Sequence, residues 1–238
     1  LVAATSLLAM VGAAGRLFAT FTGGFLNDAA GDAVPFVLAA ASGLLAVAAL
    51  LGISVAPGVP RRPTLERFLQ LARRRDVLVP TVAQTFASFA SWAVTMSFLP
   101  VLAGRLGAGG TAKGLLMSLG TATSLLGSAL TPAAERRLGA VTLVRAVFVV
   151  YCGGIVGAAL SGSLVPLFVF AAIMGLGNGI YYPMLMGLSV RDVAVDERAT
   201  ATGIHQAVYA IGMFAGPSLG GLVAERFGIP VMFLLTAV

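Results

Sequence analysis

The chain has 238 residues, of which 58% are hydrophobic and only 10% are charged, and its formal net charge is +6. Ordinary soluble domains carry about 25% charged residues, so this composition excludes a soluble domain and indicates an integral membrane protein. The single Cys152 lies in an apolar run, which excludes a disulfide or a cysteine metal site within the chain. No basic patch is interleaved with aromatic residues, so we expect no nucleic acid partner, and we expect no metal and no cofactor.

Apolar runs and helix-breaking residues divide the chain into eight candidate membrane-spanning helices. Between the second and third lies the longest polar stretch, 55–76, which we interpret as a linker with a short amphipathic helix near Leu65–Ala72. The expected fold is an all-α bundle in a membrane. In chain order the candidate spans are 1–26, 33–54, 77–102, 112–131, 141–160, 165–189, 200–223 and 229–238.

Basic residues between the spans predict the orientation of the chain. Eleven of the 15 Lys and Arg residues fall on the side of the linker, and three fall on the other side. Because cytoplasmic loops carry the excess of Lys and Arg, the linker is predicted to be cytoplasmic. The turns Asn27–Asp32 and Ala224–Gly228 are then predicted to face outward.

Two parts of the sequence repeat one another at an offset of 197 residues. Both copies enter the membrane in the same direction, which predicts parallel repeats related by an axis along the membrane normal. Two spans precede the linker and six follow it, so equivalent halves would require four further spans before Leu1. We therefore expect 1–54 to be the last two helices of an incomplete N-terminal bundle, and 77–238 to be a six-helix bundle with a truncated last helix. The matched pairs are Gly15 with Gly212, Gly23 with Gly220, Gly24 with Gly221, Asp28 with Glu225, Gly31 with Gly228, and Phe36 with Phe233.

Arg16 falls well inside a candidate span and is counted on neither side of the membrane. It precedes Asp28 by twelve residues, which is about 18 Å along a helix and places it near the middle of the membrane. A charged residue at that depth is a functional candidate that requires a partner. All nine carboxylates fall in loops or at span ends, so we expect the partner to be an acid in one of the four further spans or an anionic substrate. The alternative is a structural arginine bound to backbone carbonyls and water.

Polar residues mark one face of the candidate span 77–102. We call it the seventh span, because four further spans are expected before the two that precede it. Steps of four, three and four residues put these side chains on one helical face, which Trp92 borders. The face either lines a cavity or makes hydrogen bonds between helices. Asn178 and Tyr181 in a later span, which Pro183 interrupts, allow the same two interpretations. The residues of the face are Gln84, Ser88, Ser91 and Thr95.

The span that begins near residue 200 carries a histidine and a row of small residues. His205 titrates near neutral pH and is a candidate to carry a coupling proton, or is an ordinary histidine at the membrane interface. Gly212, Gly216 and Gly220 recur every four residues, so one helix face is flat. Together with Pro217, which bends the helix, and with Gly221, they form either an interface between two bundles or a simple packing groove.

The same span resembles a known family. GMFAGPSLGG, from Gly212 to Gly221, is similar to the G-x-x-x-G-P-x-x-G-G motif of the major facilitator superfamily of secondary transporters. The earlier copy, GRLFATFTGG, has Ala19 and Thr20 in place of the Gly-Pro pair that is typical of proton-coupled antiporters. ERRLG, GLGNGIYYP and RDVAVDERATATG resemble further segments of this family, in the expected order.

The resemblance covers the whole chain as spans five to twelve of a twelve-span protein. It implies that two bundles rock to open a central site to either side of the membrane. We therefore expect a monomeric secondary active transporter of a small organic solute, an exporter or antiporter, with protons as a possible coupling ion. Met96, Met117, Phe86 and Phe89 near the polar face suit a drug-like solute, and a sugar or metabolite stays open. The expected location is the plasma membrane of a bacterium or archaeon, which is the inner membrane of a cell that has two.

Two other classes of function remain open at this stage. A membrane-embedded enzyme, such as a lipid or prenyl transferase, would need a carboxylate cluster for a metal or a nucleophile with its base, and the sequence offers neither. We therefore expect no enzymatic activity. A membrane sensor that keeps the fold without transport is equally compatible with the sequence, because a fold alone does not define a function.

Overall fold

The computed structural model describes residues 2–51 and 64–237. Within these ranges every regular element is helical and no strand occurs. The helices are α1 (Val2–Ala30), α2 (Ala33–Leu51), α3 (Leu65–Arg73), α4 (Arg75–Ala90), α5 (Leu99–Arg105), α6 (Gly110–Leu138), α7 (Ala140–Ala159), α8 (Leu164–Arg191), α9 (Arg198–Phe227) and α10 (Ile229–Thr236), with a π-helical segment (Ser91–Phe98) between α4 and α5.

Six of the described helices are long and apolar enough to cross a membrane. They are Ala33–Leu51, Arg75–Arg105, Gly110–Leu138, Ala140–Ala159, Leu164–Arg191 and Arg198–Phe227. The first and last of the eight expected spans fall on α1 and α10, which are not among these six, so the count of eight stays a prediction. The all-α membrane fold is confirmed, and most helix ends lie within a few residues of their expected positions.

The seventh span is not one regular α-helix, contrary to expectation. α4, the π-helical segment and α5 follow one another without a break, and Leu99 N donates to the carbonyl of Val94, five residues earlier. Pro100 is the second residue of α5 and has no N–H, and its ring would clash with the carbonyl four residues before it in an α-helix. The wider π-helical turn relieves this conflict. Such turns are frequent at functional sites.

The first two helices and the last two are joined by the same kind of turn. Gly31 has a φ of 88° and its N–H donates to the carbonyl of Asn27, at 3.1 Å. Gly228 has a φ of 87° and its N–H donates to the carbonyl of Ala224, at 2.9 Å. Residues with a Cβ are strained at such φ values, so glycine is required at both positions. These positions are a matched pair of the sequence repeat.

Helices α4, α6, α7 and α8 pack around one large apolar core, and α9 packs along α4. A second, smaller core lies where α3 meets the starts of α4 and α9, and it includes Leu71, Val77 and Ile204. α1 packs against α6. α2, by contrast, has no buried residue in the described structure.

Candidate functional site

Two adjoining cavities lie among the membrane-spanning helices. The first, the Arg16 cavity, has a volume of ≈ 350 Å³ and is bounded by α1, the π-helical segment, α6 and α8. The second, the aromatic cavity, has a volume of ≈ 250 Å³ and is bounded by α4, the π-helical segment, α8 and α9. Ser91, Met96 and Asn178 line both, so we treat the two cavities as one candidate site.

The side chain of Asn178 organises the junction of the two cavities. Its amide nitrogen donates to Ser91 Oγ at 3.2 Å and to Tyr181 Oη at 2.8 Å. Tyr181 is fully buried, with its ring stacked on Phe148 at a centroid distance of 5.5 Å. The fixed tyrosine therefore holds Asn178 in one orientation at the centre of the site.

The polar face of the seventh span is divided between the two cavities. Gln84, Ser88 and Ser91 are buried and line the aromatic cavity, whereas Thr95 lines the Arg16 cavity. Gln84 donates its amide N–H to Ser88 Oγ at 3.3 Å, and its carbonyl oxygen has no partner among the described residues. The face thus lines cavities, and contact with substrate stays a prediction.

Three aromatic side chains, those of Trp92, Tyr182 and Tyr209, line the aromatic cavity. Tyr182 and Tyr209 meet edge to face at a centroid distance of 6.1 Å, with their hydroxyl oxygens 3.3 Å apart. Trp92 lines the same cavity. Sequence reasoning placed Trp92 at the border of the polar face but overlooked Tyr182, although this tyrosine directly follows Tyr181 in a glycine-rich span.

Tyr151 is a buried polar residue that sequence reasoning also missed. It is 2% exposed, and its ring meets that of Tyr181 edge to face at 5.3 Å. Its hydroxyl and that of Thr95 have no hydrogen-bond partner among the described residues. A tyrosine in the middle of an apolar span was the available signal, because such a hydroxyl requires a polar neighbour.

Arg16 lines the cavity that bears its name and takes part in none of the ion pairs between described residues. Its matched residue in the sequence repeat, Met213, lines the aromatic cavity. Two matched positions of the sequence repeat therefore border the same candidate site from two sides. One of them is charged and the other is apolar.

His205 is fully buried between α4 and α9, and is not among the residues that line the two cavities. Its Nδ1 lies 3.0 Å from Thr81 Oγ1, and that hydroxyl donates to the carbonyl of Val77 at 2.7 Å. Since the threonine proton is already used, Nδ1 must be the donor, which leaves Nε2 as a buried acceptor. Nε2 has no partner among the described residues. This arrangement can accept a proton at Nε2.

The flat glycine face of α9 packs against the seventh span. A Cβ at Gly212 would overlap the carbonyl oxygen of Thr85, and a Cβ at Gly216 would overlap that of Phe89. A Cβ at Gly220 would lie 3.3 Å from the Cβ of Ala93, which is a tight contact, and a Cβ at Gly221 would lie at an ordinary distance from Phe98. The half-buried Pro217 directly follows Gly216. These described neighbours belong to the same six-helix bundle, as in the packing-groove interpretation, and a role at an interface between bundles stays a prediction.

A carboxylate joins α1 to the first turn of α6. Asp28, which lies beyond the expected first span 1–26, accepts from the N–H groups of Gly110 and Thr111 at 2.7 and 2.6 Å and from the hydroxyl of Thr111 at 2.7 Å. These bonds, the one from the Thr111 hydroxyl first, lower the pKa of Asp28.

Small residues continue this contact between α1 and α6 towards the Arg16 cavity. A Cβ at Gly24 would overlap the carbonyl oxygen of Gly110, and Gly114 lies against the backbone of Thr20. The hydroxyls of Thr20 and Ser118 are 2.8 Å apart. The sequence repeat identified Gly24 and Asp28 but did not predict α6 as their partner.

Comparison with known proteins agrees with this architecture. No curated protein matches the chain. Residues 81–238, which contain most of the seventh span and all the helices that follow it, match the Major Facilitator Superfamily. This match covers well over half of the sequence and includes the π-helical segment, Asn178 and the glycine face of α9. The chain therefore belongs to the Major Facilitator Superfamily.

Proposed function

We propose that this membrane transporter carries a small organic solute by alternating access, and that it exports the solute. The observation that supports the proposal is the candidate site itself. The Arg16 cavity, of ≈ 350 Å³, lies between α1 and the helices of the expected six-helix bundle, and the aromatic cavity, of ≈ 250 Å³, adjoins it within that bundle. Volumes of this size suit a small organic molecule.

The contact between α1 and α6 supports the alternating-access part of this proposal. Asp28, Gly24 and Thr20 hold α1 against α6 along one side of the Arg16 cavity, at the end of the molecule that is predicted to face outward. Separation of these helices would open the cavity at that end. We infer that the described conformation is closed to the outside.

His205 supports coupling to protons. Its Nε2 is a buried acceptor without a partner among the described residues, and its ring lies edge to face on Tyr209 at 5.7 Å. Tyr209 lines the aromatic cavity. Protonation at Nε2 would therefore place a charge one side chain away from the site. We propose this histidine as the coupling residue.

The test is transport by the full-length protein reconstituted in proteoliposomes with a pH gradient and a panel of labelled amphiphilic solutes. We expect saturable, protein-dependent movement of at least one solute. Arg16→Ala should abolish this movement while leaving membrane insertion intact, because it removes the one charge that lines the described site. Arg16→Lys should recover it only in part, since lysine lacks the planar fork of arginine.

A matched control is Arg226→Gln, which removes an exposed arginine at the end of α9. It should transport like the wild type. Wild-type transport by Arg16→Ala would exclude Arg16 from the site, and absence of movement for every solute in the panel would contradict the transport proposal.

A further inference from the structure

We propose that the solute is an aromatic organic anion, a carboxylate attached to an aryl ring, whose carboxylate lies beside Arg16 and whose ring lies among Trp92, Tyr182 and Tyr209. This inference rests on the proposed transport function and deepens it. The evidence is the different chemistry of the two joined cavities.

The positive charge that selects an anionic solute comes from one residue. Among the described residues that line either cavity, Arg16 alone is charged, and no Asp or Glu accompanies it. The other walls of its cavity are largely apolar, with Met96, Leu99, Met117 and Met174. Arg16 is exposed, so an anion can reach its guanidinium. The hydroxyl and amide groups of the lining carry no charge, so no lining carboxylate competes with an anion for Arg16. Its planar fork matches the two oxygens of a carboxylate.

The aromatic cavity selects the aryl ring of the solute. Trp92, Tyr182 and Tyr209 present aromatic faces and edges in a space of ≈ 250 Å³, and Met213 adds a polarisable thioether. Aromatic rings pack on one another in offset or edge-to-face arrangements with a gain of about 0.5–1.5 kcal/mol beyond burial. Ser91, Met96 and Asn178 border both cavities, so a single molecule can occupy both.

The polar groups of the aromatic cavity set the orientation of this molecule. Gln84 is 1% exposed, and its carbonyl oxygen has no partner among the described residues. An acceptor at this end repels a carboxylate and favours a neutral or donating group. The anionic end of the solute is therefore directed to Arg16.

An organic cation is the competing ligand, because tryptophan and tyrosine faces also bind cations. Two features disfavour it. No carboxylate among the described residues lines either cavity, and Arg16 occupies the adjoining one. A cation in the aromatic cavity would be repelled by the guanidinium without an acid to compensate for this repulsion.

The test uses four probes of similar size on the full-length protein: benzoate, benzamide, benzylammonium and cyclohexanecarboxylate. Trp92 is the single tryptophan of this sequence, so the fluorescence change lost in Trp92→Phe isolates the signal of a ligand in the aromatic cavity. Calorimetry gives the affinities independently. We expect benzoate to bind about tenfold or more tightly than each of the other three probes.

Two variants assign the two ends of the ligand. Arg16→Gln should remove the preference for benzoate over benzamide, and Trp92→Leu should remove the preference for benzoate over cyclohexanecarboxylate. Arg226→Gln is the matched control and should keep both preferences. Equal binding of benzamide or benzylammonium by the wild type, an unchanged preference in Arg16→Gln, or no binding of any probe would each overturn the proposal.

Transport of the same probes separates this inference from the function on which it rests. Transport of benzylammonium without transport of benzoate would support the transport proposal and contradict the inference that the solute is an anion. Binding of benzoate at the predicted site without movement of any solute would support the site and contradict transport.

Discussion

At the scale of single residues, the site depends on which buried polar groups have partners. Tyr181 and Tyr151 are both buried tyrosines whose rings touch, yet their hydroxyls differ. That of Tyr181 accepts a hydrogen bond from Asn178, whereas that of Tyr151 has no partner among the described residues. Loss of a hydrogen bond and loss of an unpartnered hydroxyl have different free-energy consequences.

This difference gives a paired prediction. Tyr181→Phe should lower the free energy of unfolding by about 0.5–1 kcal/mol, because Asn178 loses an acceptor in a nonpolar environment. Tyr151→Phe should leave stability unchanged or raise it, since it removes a buried hydroxyl that has no hydrogen-bond partner among the described residues. Thermal unfolding of both variants in the same detergent is the measurement. A larger loss for Tyr151→Phe would show that its hydroxyl makes a hydrogen bond in the folded protein.

At the scale of helices, close packing of α9 on the seventh span depends on glycine. A side chain at Gly212 meets a backbone carbonyl of α4, which cannot rotate away as a side chain would. Gly203, on the same helix, has no atom within 4 Å of the position of a Cβ. The two glycines therefore make a controlled comparison within one helix.

Gly212→Ala should destabilise the protein by about 1–3 kcal/mol through overpacking. Gly203→Ala should be neutral or stabilising by about 1 kcal/mol or less, because alanine favours helix more than glycine does. Unfolding temperature and the yield of monodisperse protein measure both effects. Equal behaviour of the two variants would mean that α4 and α9 can separate at little energetic cost.

The contact of Asp28 with the start of α6 leads to a prediction about helix separation. Asp28→Asn removes the negative charge that the N–H groups of Gly110 and Thr111 stabilise. The reporter is Ala19→Cys in a protein whose Cys152 is replaced by serine, because Ala19 lines the Arg16 cavity. With Asp28→Asn, this cysteine should react about threefold faster with an impermeant thiol reagent added outside. Asp32→Asn is the control, because the side-chain partner of Asp32 among the described residues is Asn27, in the same turn. An unchanged rate would show that other contacts keep α1 against α6.

The dependence of this contact on pH follows from the direction of the Asp28 shift. Its hydrogen bonds lower its pKa below the ordinary value of 3.8. A carboxyl with a lowered pKa stabilises the contact above its ordinary pKa and loses that effect only as the pH falls through the lowered value. The thiolate fraction that sets each labelling rate cancels in a ratio, so the ratio of the rates at Ala19→Cys with and without Asp28→Asn should stay constant between pH 5 and pH 7, about a unit or more above 3.8.

At the scale of the whole molecule, the main prediction is the orientation in the membrane. With Cys152 replaced by serine, Asp32→Cys should be labelled on intact cells by an impermeant maleimide, because the adjoining turn faces outward by the positive-inside rule. Thr64→Cys should be labelled only after the cells are made permeable. Labelling of Thr64→Cys alone on intact cells would reverse the topology.

The sequence predicted local properties well and contacts between distant segments poorly. Span positions, the turns at Gly31 and Gly228, and the cavity face of Gln84, Ser88 and Ser91 follow from hydropathy, glycine positions and helical spacing. The partner of Asp28 lies 82 residues away, and no local pattern indicates it. The π-helical segment was also missed, because the apolar residues before Pro100 are compatible with an ordinary helix.

The unburied surface of α2 has a consequence for how the chain is synthesised. α2 has the highest mean hydropathy of the six apolar helices and no buried residue, whereas α6 has the lowest and carries glycines that fit against its neighbours. A helix of the first kind partitions into lipid from the translocon by its own composition. A helix of the second kind gains much of its stability only after its partners have arrived. During translation, α2 should leave the translocon early, and α6 should stay beside it until α8 has been made.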